Sequence, residues 1–177
     1  MRVLGITQDG ARSALRQPSA EFRLPAEATP ARRTVTNLRL RAAAVRRHHT
    51  VRTGMGLAAP QIGVRRRAAI VYLVERDELI VLLNPHVVDA SDEVETRYEG
   101  CLSFFDVRGR VERPVRLVVA HQRPDGSRTT PAFEGSVARR VAHEIDPLAG
   151  ILDTQRMADE RGLLPVERYR ETEAAGN

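Results

Sequence analysis

The spacing of apolar residues predicts a first helix from Ala31 to His49. Its apolar positions recur with a 3-4-3 spacing, which places them on one helical face. Arginines recur every seven residues in the same segment and form a polar stripe on another face. The apolar positions are Val35, Leu38, Ala42 and Val45, and the arginines are Arg32, Arg39 and Arg46.

Several short strands are predicted after this helix, because runs rich in β-branched residues alternate with polar and turn-forming segments. The polar residues from Ala90 to Glu95 are predicted to form a loop, and Pro124 to Ser127 a turn between two strands. The predicted strands are Ala68–Val74, Leu79–Asn84, Val115–Val119 and Thr129–Phe133.

A late helix is predicted to begin near Gly135 or Ser136 and to bury one apolar face. We expect a single α+β domain over residues 1–177, with short strands around this helix. Its motif-bearing core covers about residues 3–160, and a polar tail follows Gly162. The apolar positions of the late helix are Val137, Val141, Ile145, Leu148 and Leu152.

All 28 basic residues are arginine, so the chain contains no lysine. This excludes a P-loop lysine, a Schiff base on a side chain and a Ser-x-x-Lys nucleophile. Residues 1–67 carry 14 arginines against three acidic residues, a net charge of +11, whereas residues 68–177 carry a net charge of −6. The basic half is either a solvated face, which is the commoner arrangement, or a surface for a polyanion such as ribosomal RNA.

A single cysteine, Cys101, excludes an internal disulfide and favours a reducing compartment. The longest apolar run, Ala68 to Val74, is much shorter than the roughly 20 residues of a membrane span. Residues Met1 to Gly10 lack a hydrophobic signal segment. We therefore expect a cytoplasmic protein with no membrane partner and no specific DNA partner.

The late helix contains His143 and Glu144, the first two residues of the His-Glu-x-x-His pattern of zinc hydrolases. In that pattern, histidines at positions i and i+4 share one face and hold a metal. The glutamate is offset by about 100° and accepts a proton from water. Here Pro147 occupies the second histidine position. Taken alone, the pair also fits a surface ion pair beside a structural histidine.

Two upstream segments contain further candidates. Cys101 lies in the segment Glu99–Ser103, which predicts a glycine-bearing turn before a strand. A thiolate and an imidazole suit a divalent metal, although a lone cysteine is also a small buried hydrophobe. The segment Gly54–Gly63 combines glycines, which allow close backbone approach, with Gln61, whose amide can stabilise a developing oxyanion. Gln61 also fits an ordinary solvent-exposed turn.

In this order, the three segments resemble the motifs of peptide deformylases. The pattern G-x-G-L-A-A-P-Q-I-G matches Gly54 to Gly63, and E-G-C-L-S matches Glu99 to Ser103. The pattern H-E-x-D-H matches the late helix at its first two positions and at Asp146, and fails at Pro147. The resemblance implies a fold of small antiparallel β-sheets packed around a metal-bearing helix. It also implies removal of the N-formyl group from formyl-Met at the start of nascent chains.

The resemblance further implies a role for each matching residue. Formyl-Met nascent peptides would be the substrates, and ribosome proximity would suit such an enzyme. The metal would be Fe²⁺, Zn²⁺ or a similar divalent ion. The implied site consists of the metal ligands Cys101 and His143, the general base Glu144, Gln61 and the backbone N–H of Leu102 as donors to the formyl oxygen, and Gly56 and Leu57 as lining of the peptide groove.

Pro147 departs from the family pattern, because proline has no side-chain atom that binds a metal. Loss of a residue that merely orients a ligand costs roughly 10–100-fold in metal affinity or activity, so loss of a ligand should cost more. Pro147 is also expected to disturb the turn that orients His143 and to push residue 146 away from helical geometry.

Two hypotheses remain. The protein is a weakened deformylase in which water or Asp146 completes the metal site, or a catalytically silent paralogue that binds formyl-peptide-like ligands or a partner.

Overall fold

The computed structural model describes residues 1–8, 14–49, 54–157 and 163–175. No helix in these ranges is both long and apolar enough to cross a membrane. The α-helices are α1 (Ala28–His48), α2 (Gly135–Ile145), α3 (Asp153–Arg156) and α4 (Val166–Ala175). The strands are β1 (Met55–Ala58), β2 (Ala68–Leu73), β3 (Glu78–Ala90), β4 (Val94–Cys101), β5 (Phe104–Pro114), β6 (Arg116–Gln122), β7 (Arg128–Thr129), β8 (Ala132–Glu134) and β9 (Leu164–Pro165).

The strands form two antiparallel sheets in the described part of the chain. The larger sheet has the order β1-β2-β3-β6-β7, and β8 also pairs with β6. The smaller sheet has the order β4-β5-β9. This arrangement confirms the expectation of small antiparallel sheets around a late helix. It also places β1 at an edge of the larger sheet, beside α2.

The larger sheet is covered by α1 on one face and by α2 on the other. Ala68 and Ile70 of β2 pack in the hydrophobic cluster of α1, whereas Ala69 and Val71 pack in that of α2. Successive residues of a strand point to opposite faces, so a strand covered on both faces is apolar at every position. This explains why β2 reads as a continuous apolar run instead of an alternating one.

Most predicted elements are confirmed, but the predicted loop from Ala90 to Glu95 is too long. Strand β3 continues to Ala90, and β4 begins at Val94. The error has a physical reason, because the two strands are largely exposed at this end and their polar composition resembles that of a loop. The first helix begins three residues earlier than predicted and buries all four predicted apolar positions.

The late helix changes type at Pro147. Helix α2 ends at Ile145, and a 3₁₀ helix follows from Asp146 to Ala149. Asp146 keeps right-handed helical dihedrals (φ −55°, ψ −50°) and its N–H donates to the carbonyl of Ala142, so the expected departure of residue 146 from helical geometry is wrong. The first residues of a helix need no intrahelical N–H donor, and Pro147 occupies such a position in the 3₁₀ helix.

The expected polar tail contains ordered structure. Strand β9 pairs with Val107 and Arg108 of β5, and α4 follows it directly. Val166 at the start of α4 is buried, and the ring of Tyr169 lies 5.5 Å from that of Tyr98. These few apolar contacts are hard to see in a sequence dominated by charged residues.

Candidate metal centre

The three sequence motifs meet at the C-terminal end of α2. His143 and Glu144 lie in the last turn of this helix, and Cys101 is the last residue of β4. Gln61 lies in the short 3₁₀ helix Ala59–Ile62, which directly follows β1. Direct contacts join all three motifs, so the predicted polar site residues form one cluster.

Gln61 is held with its amide nitrogen toward the thiol. Its Oε1 accepts a hydrogen bond of 2.8 Å from the N–H of Ala58, and its Nε2 lies 3.3 Å from Cys101 Sγ and 3.2 Å from Ser103 Oγ. A backbone N–H can only donate, which fixes the orientation of the amide. Gln61 is 2% exposed, so the alternative of a solvent-exposed turn is wrong.

Cys101 is buried at the end of a strand instead of lying in the predicted turn. It pairs with Phe104 across the turn Leu102–Ser103. Gly100 belongs to β4, because the segment before the turn pairs with β5 along almost its whole length. The thiol is buried like that of a structural cysteine, yet it accepts the Gln61 hydrogen bond. The backbone N–H of Leu102, the next residue, remains the predicted second donor to the formyl oxygen.

Gly56 is the point at which β1 touches the carboxylate of Glu144. A Cβ atom built on Gly56 would lie 2.2 Å from Glu144 Oε1, so no side chain fits at this position without moving the carboxylate. The side chain of Leu57 is fully buried in the α1 cluster. Only the backbone of Leu57 remains to line a groove along β1.

His143 is oriented by Glu99, the first residue of the second motif. Its Nδ1 lies 3.0 Å from Glu99 Oε2, and its Nε2 lies 3.9 Å from Glu144 Oε1. A carboxylate on one ring nitrogen fixes the ring and directs the other nitrogen toward a metal in many metal sites. The sequence contained Glu99 in a recognised motif, but no role was assigned to it.

Three arginines surround the carboxylates of Glu99 and Asp146. Arg113 bridges the two carboxylates, with Nη2 3.0 Å from Glu99 Oε2 and Nη1 against Asp146 Oδ2. Arg139, one helical turn before His143, contacts Glu99 Oε1 at 2.6 Å. Arg156 contacts Asp146 Oδ1 at 2.8 Å. Sequence reasoning missed this network, because nothing in the spacing of these arginines relates them to the motifs.

The network lowers the pKa of Glu99. Burial raises the pKa of this carboxyl, but the hydrogen bonds and charges of His143 and Arg113 outweigh burial and lower it from 4.5 to about 2. Burial lowers the pKa of Arg113, but Glu99 and Asp146 outweigh it and raise it above its usual range. Both groups are therefore charged at neutral pH, and the site carries a buried ion pair.

Acid is expected to weaken the fold through Glu99. Its pKa is about 2 in the folded protein and near 4.5 in the unfolded chain, so the unfolded chain binds the proton first as the pH falls. The contribution of Glu99 to the free energy of unfolding is complete above pH 4.5 and is lost as the pH falls toward 2. Carboxyl carbon shifts and urea unfolding measured across this window test the prediction. A Glu99 carboxyl that titrates near 4.5 would contradict it.

Two of the three motif positions that the resemblance assigns to metal ligands carry a thiol and an imidazole, Cys101 and His143. Pro147 contributes none, and both oxygens of Asp146 contact arginines, so the proposal that Asp146 completes the metal site has no support in the geometry. Within the described ranges, no group of three His, Cys, Asp or Glu side chains is arranged to hold a metal ion. Among the predicted ligands, Cys101 and His143 are the residues with side chains that can bind a metal, and a site with three protein ligands does not fit the described residues.

The fold and the cluster together define an α+β protein in which thiol, imidazole, carboxylate and amide groups gather at the end of a His-Glu helix. The family model for polypeptide deformylase matches residues 3–162. The chain belongs to this family, which confirms the resemblance seen in the motifs.

Curated relatives and solved structures agree with this assignment. A peptide deformylase of Natranaerobius thermophilus is 48% identical over 98 residues, which cover 55% of this chain and 62% of the relative. A peptide deformylase of Roseiflexus castenholzii is 37% identical over 136 residues, which cover 68% of this chain and 72% of the relative. The chain spans about three fifths of the length of the first curated relatives it matches.

Two solved structures are similar over most of the chain. A peptide deformylase from Synechococcus elongatus in complex with actinonin has a TM-score of 0.76 and 28% identity, and the match covers 89% of this chain and 80% of that one. A class I type b peptide deformylase from Acinetobacter baumannii with Met-Ala-Ser bound has a TM-score of 0.73 and 28% identity, and the match covers 86% of this chain and 96% of that one.

Proposed function

We propose that the protein removes the formyl group from peptides that begin with formyl-Met, with a metal bound more weakly than in family members that have three protein ligands. The carrying observation is the contact of the Gln61 amide with the Cys101 thiol, beside the His143–Glu144 pair. These contacts support a site in which Gln61 would donate to an oxyanion, Cys101 and His143 would bind the metal, and Glu144 would accept a proton. Groups of these kinds accelerate the hydrolysis of an amide.

Cys101 and His143 would hold Fe²⁺, Zn²⁺ or a similar ion. Thiolate and imidazole are ligands that such ions accept. When bound, the metal would polarise the formyl carbonyl and make water a better nucleophile at neutral pH. The His143 ring is already held by Glu99, so only one ring nitrogen remains for this task.

Glu144 would move the proton in the reaction. It would accept a proton from the attacking water and return it to the peptide nitrogen as the C–N bond breaks, which releases formate and a free amine. Its carboxylate is buried against Gly56 and lies 3.9 Å from His143 Nε2, next to the imidazole that would bind the metal. Burial keeps bulk water away from the proton transfer.

Gln61 and the N–H of Leu102 would stabilise the formyl oxygen as it becomes negative. The Gln61 amide has two N–H groups, which face Cys101 Sγ and Ser103 Oγ. A bound formyl oxygen would replace one of these acceptors. The peptide would lie along the edge of β1 as an additional strand, with hydrogen bonds to the backbone of Gly56 and Leu57.

Pro147 favours a second candidate function. A paralogue without turnover would keep the groove and bind formylated peptides or a partner through β1, Gln61 and Leu102. The absence of a side-chain donor at Pro147 supports this candidate. Under the first proposal the substrates are nascent chains in the cytoplasm, near the ribosome.

Formate release from formyl-Met-Ala-Ser tests the two candidates. We expect slow release by the protein supplied with Fe²⁺ without oxygen, or with Zn²⁺, and a loss of about 100-fold or more in E144Q, because general acid–base catalysis contributes at least that factor. E167Q, an exposed glutamate on α4, is the matched control and should retain activity. Peptide binding without any formate release would support the paralogue and overturn the proposed hydrolysis.

A further inference from the structure

Helix α1 carries a concentration of positive charge that the proposed chemistry does not use. Its 21 residues include six arginines and no acidic residue. All six arginines are exposed, although two of them contact other groups: Arg41 donates to the carbonyl of Leu4, and Arg46 stacks on the ring of Tyr72. The remaining arginines of α1 are Arg32, Arg33, Arg39 and Arg47.

Five of these arginines share one face of the helix. At about 100° per residue, they fall within an arc of roughly 140° that does not overlap the buried side of α1 and adjoins it at Arg46. They extend from Arg32 to Arg47, a distance of roughly 22 Å at 1.5 Å per residue. We call this surface the α1 basic face, and its members are Arg32, Arg33, Arg39, Arg46 and Arg47.

The α1 basic face is not neutralised within the described part of the chain. None of its guanidinium groups lies within ion-pair distance of a carboxylate there, whereas many arginines elsewhere do form such pairs, for example Arg66 with Glu27 and Arg116 with Asp89. Glu27, the acidic residue next to α1, is already engaged by Arg66 and by the N–H of Arg23. Like charges on one face repel each other, so this surface favours an anionic partner.

We propose that the α1 basic face binds the phosphate backbone of RNA. Arginine forms paired hydrogen bonds with phosphate oxygens, and a row of guanidinium groups about 22 Å long faces several phosphates at once. The buried side of α1 packs on the sheet, so the helix meets the RNA as a fixed surface. The choice of RNA over DNA rests on the proposed function, because nascent chains emerge from an RNA-rich assembly.

A membrane surface is the main competing occupant, and the helix fits it poorly. A helix that lies on a membrane inserts an apolar face into the bilayer. Along α1, which the structure describes completely, Leu40 is the only large apolar side chain that is exposed, at 63%. The apolar face itself is buried against the sheet, with Leu38 fully covered. The exposed arginines of α1 are therefore suited to phosphate groups that contact the helix surface without insertion of its apolar face.

Fluorescence anisotropy with a labelled RNA hairpin tests the proposal. The unmodified protein, the variant R33Q/R39Q/R47Q and the control R110Q/R123Q/R128Q are compared over a range of salt concentrations. The control removes the same charge from exposed arginines outside α1. We expect the α1 variant to bind at least about tenfold more weakly at low salt. Its salt slope should be smaller by roughly 2–3, because each phosphate contact contributes about 0.9.

Three results would overturn the proposal. They are absence of hairpin binding at low salt, an equal loss in the two triple variants, and tighter binding to phosphatidylglycerol vesicles than to the hairpin. The assay contains neither metal nor formylated peptide, so its outcome is independent of formate release. RNA binding without formate release would support the proposal for the α1 basic face and overturn only the proposed hydrolysis.

Discussion

P147H is expected to bind Zn²⁺ at least about 100-fold more tightly than the unmodified protein, because a lost ligand should cost more than the roughly 10–100-fold of a lost orienting residue. The new imidazole would stand at i+4 from His143, on the same helical face, and would provide the third ligand. Competition with a coloured chelator measures the affinity, and formate release should rise with it.

P147A is the control for the backbone. It restores the missing N–H and removes the proline ring without adding a ligand, so it separates helix repair from metal ligation. We expect P147A to bind Zn²⁺ about as weakly as the unmodified protein. Equal affinity of P147H and P147A would mean that the 3₁₀ helix after Ile145 no longer directs this position toward the centre. The limit on metal binding would then lie in the backbone.

R113M is expected to lower the free energy of unfolding by about 3–5 kcal/mol, because it leaves buried carboxylates without their partner. The side chain of Arg113 is 4% exposed and contacts both Glu99 and Asp146. A loss of this size corresponds to a fall in Tm of roughly 6–20 °C for a chain of this length. Urea unfolding at neutral pH measures it.

R116M is the matched control for this prediction. Arg116 pairs with Asp89 at the same distance of 3.0 Å as the Arg113–Glu99 pair, but the two side chains are 42% and 61% exposed. Exposed pairs contribute less than about 1 kcal/mol, so R116M should unfold nearly like the unmodified protein. Similar losses of unfolding free energy in R113M and R116M would show that burial does not determine how much the Arg113–Glu99 pair contributes to stability.

The motif residues and the helices α1 and α2 were predictable from sequence because their signals are local. The 3-4-3 spacing defines the buried side of α1, and the order of three motifs led to the family and to the cluster of Gln61, Cys101, His143 and Glu144. Even Pro147 was visible as the missing ligand. Each of these inferences depends on residues that are close in the chain or fixed in a motif.

The remaining features depend on contacts between distant residues. Arg113 and Glu99 lie on neighbouring strands, and Arg139 reaches Glu99 from α2, so no local pattern connects them. The burial of the Leu57 side chain follows from the face on which α1 packs. The helical geometry of Asp146 follows from a change of helix type, which the rule for residues before proline does not anticipate.

Formate release by the unmodified protein and by P147H, each with its metal content measured, tests the central claim most directly. Under the proposed function, one missing ligand limits turnover at an otherwise assembled centre. We therefore expect slow release by the unmodified protein, faster release by P147H in proportion to bound metal, and loss of both when E144Q is added. Metal-loaded P147H that releases no formate from formyl-Met-Ala-Ser would contradict the account.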